Sequence, residues 1–172
     1  MTSIEGLKFR EALVFDVTAM ALCNASDSDA IRADPRMTAY FEGRHHPQQA
    51  LPQRVGYIAL ANDVVVGYIA GHRTTRHGCA GEVQYLFVSD AFRRRGIGTT
   101  LMRLLADWFQ AHGAQKVCVA VADDSPPETR PFFESVGASL FRKHWYAWQD
   151  IAAELQYRKS TTLGLLRVEV KN

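Results

Sequence analysis

Arg93-Arg94-Arg95-Gly96-Ile97-Gly98 sets three arginines directly before a glycine, with a second glycine two positions further on. The segment lies between an apolar strand-like run at 83–88 and an amphipathic helix-like run at 97–111. The chemistry open to it is anion binding. The first N–H groups of a helix have no partner within the helix, and the helix dipole adds positive potential at that end. Glycine takes positive φ and lets a ligand come close to the backbone. The neighbouring arginines add charge, so the segment predicts a site for a phosphate-bearing ligand. The plainer alternative is a strand-to-helix connection shaped by its glycines, with the arginines solvated.

Glu82 is the second candidate, a carboxylate at the start of an otherwise apolar strand. An amine nucleophile is protonated at neutral pH and must lose a proton before it attacks. A partly buried glutamate, often acting through water, can take that proton. The competing role for Glu82 is a strand-end carboxylate paired with a cation.

Other motifs carry less. Gly96-Ile97-Gly98 begins a dinucleotide fingerprint, but Leu101 stands where the third glycine belongs, and the turn lies well past the end of its strand. No G-x-x-x-x-G-K-[ST] segment is present. His45, His46, His72, His77, His112 and His144 show no i,i+4 pair with a further ligand nearby, and there is no C-x-x-C, so no metal is expected. Trp145, Tyr146 and Trp148 suit core and sheet packing, Glu42 a solvated helix position, and Cys118 plain packing in a buried strand.

The elements that must position these groups follow from hydrophobic periodicity. A short first strand ends near Phe9 and Arg10, a helix is predicted over 14–22, and 24–29 is loop-like. Residues 35–49 are polar, with Met37, Tyr40 and Phe41 at helical spacing. Runs at 55–60 and 64–70, separated by Ala61-Asn62-Asp63, predict a hairpin. Residues 82–88 are apolar on both faces, as in a central strand. In the helix that follows, Ile97, Leu101, Leu104, Leu105, Trp108 and Phe109 make one face, and Gly113 ends it. A buried strand at 117–122, a short helix at 129–136 and final strands at 139–148 and 163–170 complete the order. The expected class is α/β in the α+β sense: one mixed sheet flanked by helices.

The 172 residues fit a single domain, residues 1–172, able to bury a full core. A net charge of +2 gives no case for nucleic acid as a partner. Cys23, Cys79 and Cys118 are odd in number and far apart, which suits a reduced, cytoplasmic protein. No apolar run reaches membrane-spanning length, so no membrane association is expected. The terminal strand at 163–170 offers an edge for a homodimer.

Over about residues 55–148 the chain resembles the GNAT superfamily of N-acetyltransferases. Its acetyl-CoA signature, [RQ]-x-x-G-x-[GA], is satisfied by Arg93 to Gly98, in the family's order of strand, signature, long helix, strand and short helix. The family's F-Y-E-x-x-G-F pattern is matched by Phe132-Phe133-Glu134-Ser135-Val136-Gly137-Ala138. The resemblance implies a twisted, mainly antiparallel sheet whose two central parallel strands part to admit the cofactor. It implies that the backbone from Arg94 through Gly96, Ile97 and Gly98 to Thr99 holds the CoA pyrophosphate, with Arg93, Arg94 and Arg95 around it. It implies too that Leu86, Phe87 and Val88 pair with the pantetheine arm and polarise the thioester carbonyl. In histone-type members a catalytic glutamate stands six residues before the valine that ends this strand, as Glu82 does before Val88. The implied activity is acetyl transfer from acetyl-CoA to a primary amine of a small molecule or protein, by direct attack in a ternary complex. The departure is Phe133, where many members carry a tyrosine that protonates the leaving thiolate. Tyr85, Ser125 and Tyr146 are the other donors to consider. A non-catalytic acyl-CoA-binding module and a nucleotide-dependent oxidoreductase are the alternatives.

Overall fold

The computed structural model describes residues 6–24 and 35–155. Its strands are β1 (Leu7–Glu11), β2 (Ala50–Ala61), β3 (Val64–Thr74), β4 (Gly81–Val88), β5 (Val117–Ala120), β6 (Ser139–Arg142) and β7 (Trp145–Trp148). The helices are α1 (Val17–Asn24), α2 (Pro35–Phe41), α3 (Ile97–Ala111) and α4 (Thr129–Ser135). Residues 151–155 are also helical. The predicted strand at 163–170, and with it the homodimer edge, lies outside the described residues. Among the described residues no helix is long and apolar enough to cross a membrane.

The strands form one seven-stranded mixed sheet in the order β1-β2-β3-β4-β5-β7-β6. Every neighbouring pair is antiparallel except β4 with β5, which is parallel. Strand side chains alternate between faces, and each face carries its own apolar cluster. On one face Ala59, Val66, Ile69, Val83, Val117 and Val119 pack under α3, α4 and Ile151. On the other Ile58, Leu60, Val65 and Tyr68 pack under α1 and α2.

Several boundaries differ from those read in the sequence, each for a local reason. The hairpin strands run on to Ala50 and Thr74. Pro52, which has no N–H to give, is tolerated in β2 because β1 covers only Tyr57–Ala61 and leaves the start of β2 at the edge. The first helix begins as a tight turn at Val14–Asp16. There the Asp16 carboxylate accepts both Arg10 guanidinium nitrogens, at 2.7 and 2.8 Å, and the Leu13 N–H at 2.8 Å. Residues 139–148 divide into β6 and β7, turned by His144 at φ 65°. Strand β5 stops at Ala120, two residues short of the predicted end, and the N–H of Val121 goes across to the carbonyl of His144.

Helix α3 occupies the predicted residues but sits rotated from the predicted face. Met102 and Ala106 are buried, while Leu104 and Trp108 are only half-buried. It lies close against the start of β4, because Gly81 has no side chain. A Cβ there would stand 2.5 Å from Phe109 Cε1, and Phe109 is fully buried with no room to retreat. Gly81→Ala is therefore expected to cost about 1–3 kcal/mol through overpacking. Thermal melts should show a fall of several degrees, and an unchanged melting temperature would mean that α3 does not seat as described.

Candidate functional site

Strand β4 carries the site. Between Tyr85, opposite Ala70, and Val83, opposite Gly71, the register slips by one residue, leaving Gln84 as a bulge. A bulge resets the alternation of faces. Val83, Leu86 and Val88 therefore face the α3 side, and Tyr85 and Phe87 the α1–α2 side. Glu82, ahead of the bulge, shares the face of Tyr85, and its register partner is His72. In an unbroken strand Glu82 would share a face with Gln84, Leu86 and Val88.

The parallel pairing with β5 spans only Gly81–Val83 against Val117–Val119. Beyond it the strands part, and a cleft of about 300 Å³ opens between them. Glu82, Val83, Gln84, Tyr85, Leu86 and Phe87 line one wall. Val119, Ala120, Thr129 and Phe133 line the other, with Asn24 and Tyr68 on the α1 side. Val88 is not part of the lining; its carbonyl accepts Arg93 Nε at 2.9 Å.

The arginine–glycine segment follows directly. Arg94 and Gly96 both adopt positive φ, 62° and 79°. Alternation of this kind turns successive N–H groups inward into a concave anion site. Among the described residues the N–H groups of Arg94, Arg95, Gly96, Ile97, Gly98 and Thr99 have no hydrogen-bonded partner, and the α3 ladder starts with the N–H of Thr100 on the carbonyl of Gly96. Gly96 is the residue that needs glycine's freedom. Gly98 has a packing reason instead, since a Cβ there would meet the Phe132 ring at 3.1 Å.

The three arginines are not equivalent. Arg93 is turned inward: besides the Val88 carbonyl it holds Glu128 at 2.6 Å and Asp90 at 3.0 Å, and its N–H is bonded to the carbonyl of Asp90. Arg94 and Arg95 are exposed, with Arg95 lying over the Phe92 ring.

Glu82 is 4% exposed and set among polar groups. Its Oε2 is 3.6 Å from His72 Nε2, and its Oε1 is 3.7 Å from Arg76 Nη1. The Arg76 guanidinium carbon lies over the Trp145 ring, 4.4 Å from its centroid. His72 is fully buried, and its Nδ1 is 3.0 Å from the Tyr40 hydroxyl. Burial pushes the Tyr40 phenol far above its ordinary range, so it stays neutral.

Phe133 is buried against Phe132 and Trp148 and reaches the cleft. Of the other donors considered from sequence, Tyr85 lines the cleft. Tyr146 does not: its hydroxyl is 3.4 Å from Glu134 Oε1, on the α4 side. Ser125 also lies outside the lining, in the loop after β5. Trp148 is core, as expected, and Cys118 packs against Cys79 and Ala147. Glu42 is exposed and paired with Arg44. Tyr68, Asn24 and the Tyr40–His72 contact carry no local sequence signal.

The model of the acetyltransferase (GNAT) family matches residues 23–138. This chain belongs to that family. Solved structures agree on the fold. A GNAT-family acetyltransferase from Staphylococcus aureus is 14% identical, with TM-score 0.64 over 84% of this chain and 99% of its own. The PaiA N-acetyltransferase of Thermoplasma acidophilum, solved with coenzyme A, is 14% identical, with TM-score 0.58 over 82% of this chain and 96% of its own. The ribosomal-protein-alanine N-acetyltransferase of Brucella melitensis is 20% identical, with TM-score 0.59 over 79% of this chain and 94% of its own. No curated protein matches the sequence. With a single parallel strand pair, the sheet is not the doubly wound one of dinucleotide oxidoreductases.

Arg93 and Arg94 should separate in a stability measurement. Arg93→Ala removes a guanidinium that ties the end of β4 to the loop before α4 and is expected to cost about 1–2 kcal/mol. Arg94→Ala, at an exposed position, should leave the denaturation midpoint in place. Equal midpoints for the two variants would contradict the division of roles.

Proposed function

We propose that this chain is an N-acetyltransferase that moves the acetyl group of acetyl-CoA to a primary amine of a small molecule or protein, by direct attack in a ternary complex. The observation that carries the reading is one continuous path. A concave set of unpartnered N–H groups at the start of α3 leads to the unpaired edge of β4, and that edge leads to a buried carboxylate at the head of the same cleft.

Each role follows from that layout. The backbone of Arg94, Arg95, Gly96, Ile97, Gly98 and Thr99 takes the pyrophosphate, with the exposed Arg94 and Arg95 side chains adding charge that salt would screen. The unpaired edge of β4 offers the peptide groups of Leu86 to the amides of the pantetheine arm, as an added strand would, while the N–H and C=O of Phe87 turn to β3. Val88 sits at the mouth of the cleft, and Arg93 holds the loop rather than the ligand. An N–H of this edge polarises the thioester carbonyl as charge builds on its oxygen. Glu82 accepts the proton of the attacking amine. Holding both substrates in one cleft supplies proximity, which can account for much of the acceleration. Phe133 gives no proton to the departing thiolate, and Tyr85 is the hydroxyl best placed to do so. Thiols ionise near pH 8.5 in the cysteine case, so a thiolate is a tolerable leaving group without an acid. The free Cys23, Cys79 and Cys118 suit a reduced compartment, and we place the enzyme in the cytoplasm.

The apolar Phe133 in the cleft favours one second reading, an acyl-CoA-binding protein without transferase activity. Incubation with acetyl-CoA and a panel of primary amines, following release of free CoA thiol, decides between them. Amine-dependent thiol release is expected, and Glu82→Gln should lower kcat by about 10²–10⁴-fold with little change in acetyl-CoA affinity. A wild type that binds acetyl-CoA but is inert on every amine, and gains activity only as Phe133→Tyr, would establish the binding protein instead.

A further inference from the structure

Glu82 and His72 face each other across β3 and β4 as register partners, both buried. His72 Nε2 and Glu82 Oε2 are two of the buried side-chain polar atoms that have no hydrogen-bond partner among the described residues, and they lie 3.6 Å apart. A buried polar atom left unpaired is costly. Two such atoms this close, one able to donate and the other an acceptor when ionised, need only a small shift to satisfy each other. The Tyr40 hydroxyl can set which ring nitrogen carries the proton: when it donates to Nδ1, the hydrogen of a singly protonated ring lies on Nε2, facing Glu82.

We propose that His72 is the positioning residue of the catalytic base: its Nε2–H, oriented by the Tyr40 hydroxyl donating to Nδ1, holds the Glu82 carboxylate through Oε2 and leaves Oε1, on the Arg76 side, to receive the amine proton. The proposal rests on Glu82 acting as the base. The proton balance is simple. An amine that arrives as its ammonium gives one proton to Oε1 before it attacks; as the carbon–nitrogen bond forms, the carbon–sulfur bond breaks with its electron pair on sulfur, and the second proton of the nitrogen ends on that thiolate, which leaves as the CoA thiol. Tyr40 and His72 keep theirs throughout.

The other groups around the pair are accounted for. Arg76, from the β3–β4 connection, stands on the Oε1 side, 3.7 Å away. His77 in the same connection packs on Trp145. Tyr85 approaches from β4, with its ring 5.5 Å from that of Tyr40. Cys79, in the β3–β4 connection, packs on Cys118 of β5, and burial keeps the Cys118 thiol protonated. Arg54, from β2, stacks on Tyr40 at 4.7 Å and bonds the carbonyls of Tyr40 and His45, which fixes the ring that carries the hydroxyl.

The test is the pH profile of kcat/KM for wild type, Tyr40→Phe, His72→Leu and His72→Gln, with Glu82→Gln alongside. Loss of the Nε2 donor makes the buried anion harder to form, so its ionisation moves to higher pH. In His72→Leu the acid limb should rise by about one pH unit, an approximately tenfold loss on the acid side that recovers towards the alkaline plateau. Tyr40→Phe frees the tautomer and should move the limb the same way, although it leaves Glu82 and His72 in place. His72→Gln keeps an N–H at the Nε2 position and should hold the limb near its wild-type pH. A structural role would lower the rate at every pH without moving the limb. Should His72→Leu not fold, Tyr40→Phe and His72→Gln decide. A limb that stays put in the folded variants while Glu82→Gln still abolishes it would overturn the positioning role alone. A profile unchanged in Glu82→Gln would overturn the base and the proposal with it.

Discussion

The short ladder between β4 and β5 is the constraint on which the rest depends. Backbone N–H and C=O groups removed from water must be paired, and a parallel strand pair would ordinarily continue to the end of the shorter strand. Here it closes over Gly81–Val83 and then ends. Strand β5 keeps its antiparallel partner β7 up to Ala120, and Val121 bonds the β6–β7 turn, so β5 goes with β7 and away from β4. Strand β4 stays with β3 up to Val88. Each strand is satisfied on its outer side, and the inner edge of β4 beyond Val83 is left open.

Two further devices act on that edge. The bulge at Gln84 reverses which residues face which layer, and so brings the only buried carboxylate of β4 onto the same face as Tyr85 and beside His72. The loop after β4 is fixed by Arg93, whose guanidinium gathers the Val88 carbonyl, Asp90 and Glu128. A rigid connection matters because the N–H groups beyond it can cradle an anion only if their directions are set in advance. Charge and geometry are thus divided between neighbouring arginines of one short segment.

Much of this was legible in the sequence. The α3 boundaries, the central strand, the signature segment and the order of elements followed from periodicity and glycine placement, because those signals are local. What was missed depends on partners distant in the chain. The roles of Arg93 and Arg94 cannot be separated without knowing that Glu128 comes to the loop. His72 reads as one histidine among six until β3 is known to continue past Ala70 and to pair it with Glu82. A signal for the bulge was present: Gly71 interrupts the strand pattern, and a glycine inside a strand often marks a bulge or a close approach. Ending the predicted strand at Ala70 set that signal aside. The face of α3 was misjudged because Met102 and Ala106 meet the sheet at positions that periodicity alone gives to Leu104 and Trp108.

The central claim is that the open edge of β4 and the turn into α3 receive the two ends of one cofactor. Amide hydrogen exchange on the protein with and without coenzyme A tests it most directly. Slowed exchange at Leu86, whose N–H faces the open edge, together with the amides of Arg94 to Thr99, and little change on β1 and β6, is the result expected. Protection elsewhere, or at the turn without the β4 edge, would show that the cleft is not where the cofactor lies.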